Sequence, residues 1–521
     1  MGLWRPPRCV SDAASFTTVD APIAFWARHR PDAIAIDDGT RRLSFAQLAD
    51  EVATRAARLI AQQAPATVWV DDSSDLPARL VDFLGIVASG RSAAVGDPDW
   101  PPAVREQVLA SIPQTSADLP LPGPETAFYV GFTSGSTGLP KGFQRHHRSW
   151  TESFRVCVDE FGEGAATRVL APGRSSHSLF LFGMLLGLWT GAGVVVQEQF
   201  SAGRALDSLA QGTTPCLVAV PSQLLVMLAL ATRRKLAPMP EVQQIMISGA
   251  RWMRDRTPEL RALFPRARIV EFYGASETSF IAWIDADAET PPEVVGRPFG
   301  NVEIDIQGVS ERSTDGDRDA RLDGQAASQV LAPVPDRVQA QHNTPNPSPG
   351  EPGLIFVRSP MLFMNYVGGD KDETAALRDG DWLSVRDVGF LDHAGRLCLM
   401  GRQKRMIVTQ GKNLFPEEVE TVLGAHPDVL SASVHGAADA LRGTQVIAVL
   451  DLKAESTLDA AALSAWCRAR LEAFKTPRSY FVCTPWPLTA SGKTDHAALA
   501  GLVAASSPPV DDGQPCLMPL R

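Results

Sequence analysis

The sequence predicts an α/β protein with largely parallel sheets. Short strand-like runs such as "CLVAV", "QIMIS" and "RIVEFYG" alternate with helical patterns. In "LSFAQLADEVATRAARLIAQQ", apolar residues from Phe45 to Leu59 fall at helical spacing, and Ser44 with Gln47 fits a capping box at the start. A chain of 521 residues is too long for one core, so we expect two or more domains.

Composition is ordinary for a globular protein, with 45% hydrophobic and 21% charged residues. The net charge of -10 argues against nucleic acid or an anionic membrane as a partner. The start lacks an apolar signal-peptide region, and the seven cysteines show no metal-ligand spacing, so we expect a cytoplasmic protein with reduced thiols.

One stretch, from Leu179 to Val196, has the minimum length of a membrane span. Gly191 and Gly193 interrupt it, and "GVVV" after them is typical of a core strand. We favour a buried helix followed by a strand, with no integral membrane association; a membrane span is the alternative.

The domain organisation follows from changes in composition. We expect an N-terminal domain over 1–400, a compact α+β domain over 401–505 and a flexible tail over 506–521. Residues 311–349 are rich in Asp, Arg, Pro, Gly, Ser and Gln and have no apolar period, so a disordered surface insertion is expected there.

The stretch "FTSGSTGLPKG", from Phe132 to Gly142, combines glycines, hydroxyls and one lysine. Glycines let backbone N–H groups turn toward an anion, and Lys141 adds a point charge, so the loop suits a polyphosphate. Taken alone, a flexible turn remains open. It is not a Walker A loop, because Gly142 follows the lysine where Ser or Thr is required; "GKT" at 492–494 also fails, because residue 487 is Pro.

Four stretches together resemble the signatures of the adenylate-forming superfamily, which includes acyl-CoA synthetases, luciferases and nonribosomal-peptide adenylation domains. They occur in the family's order, and the similarity, which is greatest to AMP-dependent acyl-CoA synthetases, covers about residues 18–500. The stretches are "FTSGSTGLPKGFQRHH", "EFYGASETS" from Glu271, "WLSVRDVGFLDHAGRLCLMGRQKRMIVTQGKNLFPEEVE" from Trp382, and "PLTASGKTD" from Pro487.

This resemblance implies a large N-terminal domain of two α/β subdomains plus a small β subdomain, with a small mobile α+β C-terminal domain. It also implies a reaction in which a carboxylate attacks the α-phosphate of ATP to give acyl-AMP and pyrophosphate, after which a thiol takes the acyl group. The implied cofactors are ATP, Mg²⁺ and CoA or a phosphopantetheine carrier, and the implied partners are a small carboxylic acid and, in one variant, an acyl-carrier protein.

Roles carry over residue by residue. The positions that match the family's holders of the β- and γ-phosphates are Lys141, Thr133, Ser134, Ser136 and Thr137. The positions that match the remaining nucleotide and catalytic roles are Glu277 (Mg²⁺ ligand), Tyr273 and Gly274 (beside adenine), Asp387 (ribose hydroxyls), Arg402 (ribose or phosphate) and Lys493 (bridge between carboxylate and α-phosphate during adenylation).

The resemblance further implies that His177, Phe180, Ser248 and Gly249 line the substrate pocket and that Lys404 is the hinge between domains. A core histidine is the alternative for His177, and His147 matches a histidine that helps to order the nearby backbone.

The chain departs from the family in three places. The usual Thr-Gly-Asp is Val385-Arg386-Asp387, residues 101–125 are shortened, and 311–349 has no counterpart.

We therefore expect an ATP-dependent acid–thiol ligase that passes its acyl group to CoA. A ligase that loads a carrier protein and an inactive nucleotide- or acyl-binding protein on the same fold are the alternatives. No Asp or Glu occurs from Gly164 to Gln197, where relatives that activate α-amino acids carry an Asp, so the acid is expected to lack an ammonium group. Arg174, the one charge nearby, is expected to face solvent; pairing with a second carboxylate of the substrate is the alternative.

Overall fold

The structure is a computed structural model, and the residues that it describes are 16–112, 119, 121–133, 140–308, 350–367, 374–409, 412–439, 443–489, 493–505 and 515–520. The predicted insertion over 311–349 lies outside this part of the chain. So do three of the predicted phosphate-loop residues, Ser134, Ser136 and Thr137.

Helices occur throughout the described chain. They are α1 (Ala21–His29), α2 (Phe45–Ala61), α3 (Leu76–Ala88), α4 (Pro102–Ser111), α5 (His147–Phe161), α6 (Ser178–Trp189), α7 (Ala202–Ala210), α8 (Pro221–Arg234), α9 (Thr257–Leu263), α10 (Pro416–Gly424), α11 (Ala460–Arg468) and α12 (His496–Ala505).

The predicted helix after Ser44 is α2, and its capping box is present. The Ser44 hydroxyl accepts from the Gln47 amide at 3.3 Å, and the Gln47 side chain accepts from the Ser44 amide at 2.9 Å. Such a cap stabilises a helix by about 1 kcal/mol. The apolar face from Phe45 to Leu59 is buried, as its spacing predicted.

The largest sheet contains strands from residues 34–308 and from residues 353–402. One of its strands, β14 (Glu303–Gly308), pairs, among the described strands, only with β15 and lies off the main order. In spatial order its other strands are β17 (Arg378–Asp379), β18 (Trp382–Leu383), β15 (Gly353–Arg358), β19 (Asp387–Leu391), β20 (Leu397–Arg402), β13 (Val294–Pro298), β12 (Ser279–Asp285), β11 (Arg268–Ala275), β10 (Gln244–Ile247), β9 (Cys216–Ala219), β7 (Val169–Ala171), β8 (Val194–Val196), β1 (Ile34–Asp37) and β2 (Arg42–Ser44).

Six neighbouring strands of that sheet, β11, β10, β9, β7, β8 and β1, are parallel, which confirms the α/β prediction. In the parallel register Ile247 lies opposite both Ala219 and Glu271. The carboxyl ends of β9, β10 and β11 therefore share one edge, where open α/β sheets bind their ligands.

A second sheet has the spatial order β16 (Asn365–Val367), β6 (Lys141–His146), β5 (Ala127–Thr133), β4 (Ser92–Ala94) and β3 (Thr67–Trp69). Strands β5 and β6 are antiparallel, and their pairing ends with Thr133 opposite Lys141. The hairpin fixes both ends of the phosphate-loop stretch at one edge of this sheet.

The stretch from Leu179 forms α6, which is buried, followed by strand β8. The prediction of a buried helix and a core strand is thus confirmed. Within the described ranges, no helix has both the length and the apolar character needed to span a bilayer.

The C-terminal part has a small core of its own, which includes Ile407, Val419, Val434 and Leu463. Its strands are the pair β21 (Ile407–Thr409) and β22 (Lys412–Leu414), and a sheet of β23 (Val429–Asp439), β24 (Gly443–Leu452), β25 (Ser479–Thr484) and β26 (Cys516–Pro519).

Strand β26 differs from the expectation of a flexible tail over 506–521. Residues Cys516–Pro519 pair antiparallel with β25, and Leu517 packs against a cluster that includes Cys483 and Leu499. The apolar side chain of Leu517 and the free edge of β25 together explain why this short segment is ordered on the sheet.

Candidate active site

One cleft of about 4250 Å³ lies where the two sheets and the C-terminal part meet. It brings together every predicted site residue that the structure describes. These residues are Thr133, Lys141, His177, Phe180, Ser248, Gly249, Tyr273, Gly274, Glu277, Asp387, Arg402, Lys404 and Lys493.

The phosphate-loop stretch enters and leaves the cleft through the β5–β6 hairpin. Thr133 is the last residue of β5 and Lys141 the first of β6, and both line the cleft. The hydroxyl and the ammonium group that the sequence assigned to a polyphosphate therefore lie on the same side of the cleft, one on each strand.

Glu277 lies in the tight turn between β11 and β12, at the carboxyl edge of the parallel strands. Its Oε1 accepts a hydrogen bond from the Tyr366 hydroxyl at 2.7 Å, and its backbone carbonyl accepts from the Phe363 amide at 2.7 Å. Sequence analysis missed Tyr366, because the contact joins residues 89 positions apart and no local pattern marks it.

Gly274, at the start of that turn, has no room for a side chain. A Cβ there would lie 1.8 Å from the Ser279 carbonyl oxygen, since β11 and β12 approach closely at a register shift between Tyr273 and Gly274. Glycine is therefore required for the turn that carries Glu277.

Asp387 and Arg402 face each other across the β19–β20 pair. Arg402 Nε lies 3.2 Å from Asp387 Oδ1, and the Tyr273 hydroxyl donates to Oδ2 of the same carboxylate. Burial raises the pKa of Asp387, and the charge of Arg402 opposes that rise. The three side chains form a fixed acceptor at the cleft, suited to hydroxyl donors such as those of a ribose.

Arg386, which stands where the resembling family has glycine, has a φ of 63°. That is the left-handed region, which costs a residue with a side chain about 1–2 kcal/mol. The backbone before Asp387 thus retains the geometry that glycine favours although the residue is arginine.

Lys493 extends from the C-terminal part to the edge of the parallel strands. A Cβ placed on Gly249, which has a φ of 88°, would lie 4.0 Å from Lys493 Cε. Surrounding protein lowers the pKa of Lys493, and the nearby charge of Arg402 lowers it further. The structure therefore shows the lysine inside the cleft, close to the nucleotide-binding candidates.

His177 and Phe180 lie at the start of α6, on the wall of the cleft. Burial lowers the pKa of His177, Asp97 opposes the shift, and Lys493 and Arg174 add to it. The Phe180 ring is buried, and its centroid lies 6.0 Å from that of His177 in a stacked arrangement. A largely neutral imidazole and a phenyl ring thus form one wall.

Ser248 also lines the cleft, and its hydroxyl donates to the Phe272 carbonyl at 2.8 Å. Further rings that line the cleft are those of Trp150, Phe182, Phe272 and Phe280.

The expectation that Arg174 faces solvent is wrong. Its Nη1 lies 3.4 Å from Asp97 Oδ1 and also donates to Asp99, and its side chain is 22% exposed. Asp97 and Asp99 are more than 70 positions away in sequence. The ion pairs arise because the turn after Val95 reaches the segment before α6, which no local pattern indicates.

His147 acts on the backbone. Its Nδ1 accepts from the Val19 amide at 3.0 Å, which ties α5 to the segment before α1. Burial lowers its pKa to about 3, with the charge of His146 adding to the shift, so the imidazole is neutral at pH 7 and serves as an acceptor.

Lys404 lies in the one-turn helix Gln403–Arg405, directly after Arg402 and before β21. The next residue, Arg405, pairs with Glu417 at 2.9 Å and with Glu420 at 2.5 Å on α10. Position 404 is therefore the connection between the sheet that carries Asp387 and the C-terminal core.

Comparison with known proteins identifies the family. The family model described as "AMP-binding enzyme" matches residues 93–318, and "AMP-binding enzyme C-terminal domain" matches residues 418–493. An uncharacterized acyl-CoA ligase, YhfT of Bacillus subtilis, is 36% identical over 399 residues, which are 76% of this chain and 73% of that protein. The chain belongs to the AMP-binding enzyme family.

Other relatives and solved structures agree. The indoleacetate–CoA ligase of Aromatoleum aromaticum is 29% identical and shares 74% of this chain and 69% of its own. The o-succinylbenzoate CoA synthetase MenE of Bacillus subtilis, solved with its acyl-adenylate OSB-AMP, superposes with a TM-score of 0.74 at 22% identity, over 92% of this chain and 97% of that chain.

ATP-bound MatB of Rhodopseudomonas palustris superposes with a TM-score of 0.75 at 19% identity, over 93% of this chain and 98% of that chain. These superpositions confirm the predicted fold class, with a large N-terminal and a small C-terminal domain. This AMP-binding enzyme is thus an ATP-dependent, AMP-forming acid–thiol ligase.

Proposed function

We propose that the protein activates a carboxylic acid without an ammonium group as its acyl-adenylate and transfers the acyl group to CoA. The observation that carries the proposal is the meeting of Lys141, Glu277, Asp387 and Lys493 in one cleft, although they come from four separate segments. A fold alone would not indicate a reaction, but this set of charges matches the chemistry of adenylation.

The proposed role of Lys493 is electrostatic. Negative charge gathers between the attacking carboxylate and the α-phosphate as their bond forms, and a preorganised ammonium group stabilises that charge. Lys141 and Thr133 would hold the outgoing phosphates, with Ser134, Ser136 and Thr137 proposed as further donors. Arg402 and the Asp387–Tyr273 pair would orient the ribose, so that the α-phosphate meets Lys493.

The residues fit a Mg²⁺ site. Mg²⁺ is usually held by one or two carboxylates together with substrate phosphates. Glu277 supplies one carboxylate in the cleft, and its orientation is set by the hydrogen bond from Tyr366. Bound there with the nucleotide, Mg²⁺ would neutralise phosphate charge, and Glu277 is the residue that would hold it.

The proposed class of acid rests on the walls of the cleft. Phe180, Phe182 and Phe280 are apolar, and His177 is held toward its neutral form. The carboxylate beside His177 is Asp97, which is paired with Arg174. Among the described residues around His177, an ammonium group on the substrate would therefore meet aromatic rings and a carboxylate that is already paired, whereas an aliphatic or aromatic acid would be accommodated.

ATP–pyrophosphate exchange with a panel of aliphatic, aromatic and α-amino acids tests this function. We expect exchange with one or more non-amino acids, followed by thioester formation when CoA is added. Exchange with an α-amino acid alone would contradict the proposed class. Thioester formation with a phosphopantetheine carrier and none with CoA would support the carrier-loading ligase, and ATP binding without exchange for any acid would support the inactive binding protein.

The domain boundaries and the cellular location remain proposals. We retain a division into a domain over 1–400 and a domain over 401–505, supported by the separate C-terminal core, and a cytoplasmic location. Limited proteolysis with fragment mapping tests the first, and fractionation of cells tests the second.

A further inference from the structure

Arg145, on β6, is the largest fully buried side chain in the part of the chain that the structure describes, with 1% of its surface exposed. It lies four residues after Lys141 and lines the cleft. Among the described residues, its hydrogen-bond acceptors are hydroxyl and carbonyl oxygens and not carboxylates. Burial lowers its pKa to about 9, and the charge of Glu277 opposes that shift, so a cation is held here at a cost in desolvation.

The guanidinium group joins three segments of the active site. Its Nη1 donates to the Ser276 carbonyl at 2.6 Å, and its Nη2 donates to the Ser279 hydroxyl and, at 2.6 Å, to the Met361 carbonyl. Its Nε donates to the Ser149 hydroxyl on α5 at 3.2 Å. The planar guanidinium group thus donates hydrogen bonds in several directions at once, and a lysine ammonium group could not reproduce this set of bonds.

Two of these acceptors enclose Glu277 in the chain. Ser276 directly precedes it, and Ser279, two residues later, has a φ of 57°. A residue with a side chain in that region is stable only when its surroundings hold it. The bonds from Arg145 to both sides of the turn therefore fix where the Glu277 carboxylate points.

The third acceptor fixes the partner of that carboxylate. Met361 begins the segment that leads into β16, where Tyr366 lies opposite Phe143 of β6 and donates to Glu277 at 2.7 Å. Arg145 thus holds both the turn that carries the proposed Mg²⁺ ligand and the strand that carries the hydroxyl orienting it.

We propose that Arg145 is a positioning residue that sets the affinity of the Glu277 site for the divalent cation bound with ATP. The inference rests on the function proposed above. Loss of an outer partner that orients a metal ligand typically weakens metal binding by about 10–100-fold. ATP itself would bind through other residues, so the effect should appear in the cation dependence.

The test uses the full chain and its Arg145→Met and Arg145→Lys variants. Pyrophosphate exchange is measured against free Mg²⁺ with the best acid of the panel, and Mn²⁺ binding to the enzyme–ATP mixture is measured by electron paramagnetic resonance. We expect both variants to need about 10-fold or more cation in both measurements. The affinity for ATP without a divalent cation, measured by calorimetry, should remain within about 2-fold of wild type, because Arg145 acts only through the orientation of the metal ligand.

Arg148→Gln is the matched control, because Arg148 is a half-exposed arginine three residues away that pairs with Glu125. Tyr366→Phe is the second variant, which removes one hydroxyl from the same site and remains informative if the Arg145 variants do not fold. It should raise the cation requirement in the same direction, and Arg148→Gln should not.

The outcomes separate the two proposals. Wild-type enzyme without exchange for any acid would contradict the proposed function. With an active wild type, an unchanged cation requirement in a folded Arg145→Met variant would overturn the role of Arg145. If neither Arg145 variant folds, an unchanged requirement in Tyr366→Phe would overturn it. Full recovery in Arg145→Lys would also overturn it, because charge alone would then suffice.

Discussion

Arg251 Nη1 donates to the Thr421 hydroxyl at 2.7 Å, across the boundary between the N-terminal and C-terminal parts. Arg251 follows Gly249 by two residues at the edge of the parallel strands, and Thr421 lies on α10. The same arrangement holds Lys493 beside Gly249. The hydrogen bond therefore stabilises the arrangement of the two parts in which the lysine occupies the cleft.

Thr421→Val should shift the balance between the two half-reactions. A hydrogen bond to a charged group is worth about 1.5–3 kcal/mol, so pyrophosphate exchange should fall by about 10- to 100-fold. Thioester formation from purified acyl-adenylate should keep its rate if, as we propose, the C-terminal part leaves this arrangement for that step. Thr421→Ser, which keeps the hydroxyl, is the control. An equal loss in both half-reactions would show that the residue stabilises only the C-terminal fold.

The cleft residues could be predicted from the sequence because most lie in four short stretches that resemble the signatures of a known family. Thr133 and Lys141 flank a stretch of glycines and hydroxyls that suits a polyphosphate, whereas Tyr273 and Glu277 were assigned by the resemblance, and the strands place these stretches together. The order of strands along a sheet then decides which stretches meet.

Long-range contacts between side chains could not be predicted in the same way. The hydrogen bonds Arg251–Thr421 and Arg145–Met361 join residues 170 and 216 positions apart. Each is made by a single arginine side chain that is not part of a repeating sequence pattern. Arg174 shows the consequence, since a lone arginine in an apolar stretch was expected in solvent and is paired with aspartates from a different strand connection. Burial of such groups depends on the assembled fold.

Lys493→Ala should slow adenylation by about 10²-fold or more, the usual cost of removing a donor aimed at developing charge. ATP binding should be nearly unchanged, because the ammonium group is needed chiefly in the transition state. Pyrophosphate exchange measures the first and calorimetry with ATP the second. Near wild-type exchange in a purified, folded variant would mean that the lysine has a different role.

The pH dependence of adenylation should report the same lysine. In the role proposed for Lys493 the active form is the ammonium ion, and burial together with Arg402 lowers its pKa below the usual 10.5. Activity should be constant below that pKa and should fall as the pH rises through it, so the basic limb of kcat/KM lies below the ordinary lysine range. Lys493→Arg should move the limb to higher pH, because arginine keeps its proton. A limb that stays in place in this variant would belong to another group.

Arg386 offers a test of the backbone before Asp387. Arg386 has a φ of 63°. The free energy of unfolding, measured with denaturant, should be about 1 kcal/mol higher for Arg386→Gly than for Arg386→Ala, because alanine carries a Cβ into the left-handed region and glycine does not. Both variants remove the arginine side chain, so its own contacts cancel in the comparison. Equal stability of the two would show that the local backbone relaxes when the arginine is removed.

Lys404→Pro should separate the two half-reactions in the opposite sense from Thr421→Val. Position 404 lies in the single helical turn that connects Arg402 to the C-terminal core, and proline fixes φ near the value of such a turn. The observed arrangement, with Lys493 in the cleft, should therefore persist, and pyrophosphate exchange should remain within about 3-fold. We propose that the C-terminal part rotates before thioester formation, and this step should therefore fall by on the order of 10²-fold. Lys404→Ala controls for loss of the ammonium group, and the thermal midpoint controls for distortion of the turn. Loss of both half-reactions in a variant with an unchanged thermal midpoint would remove the support for a hinge at this residue.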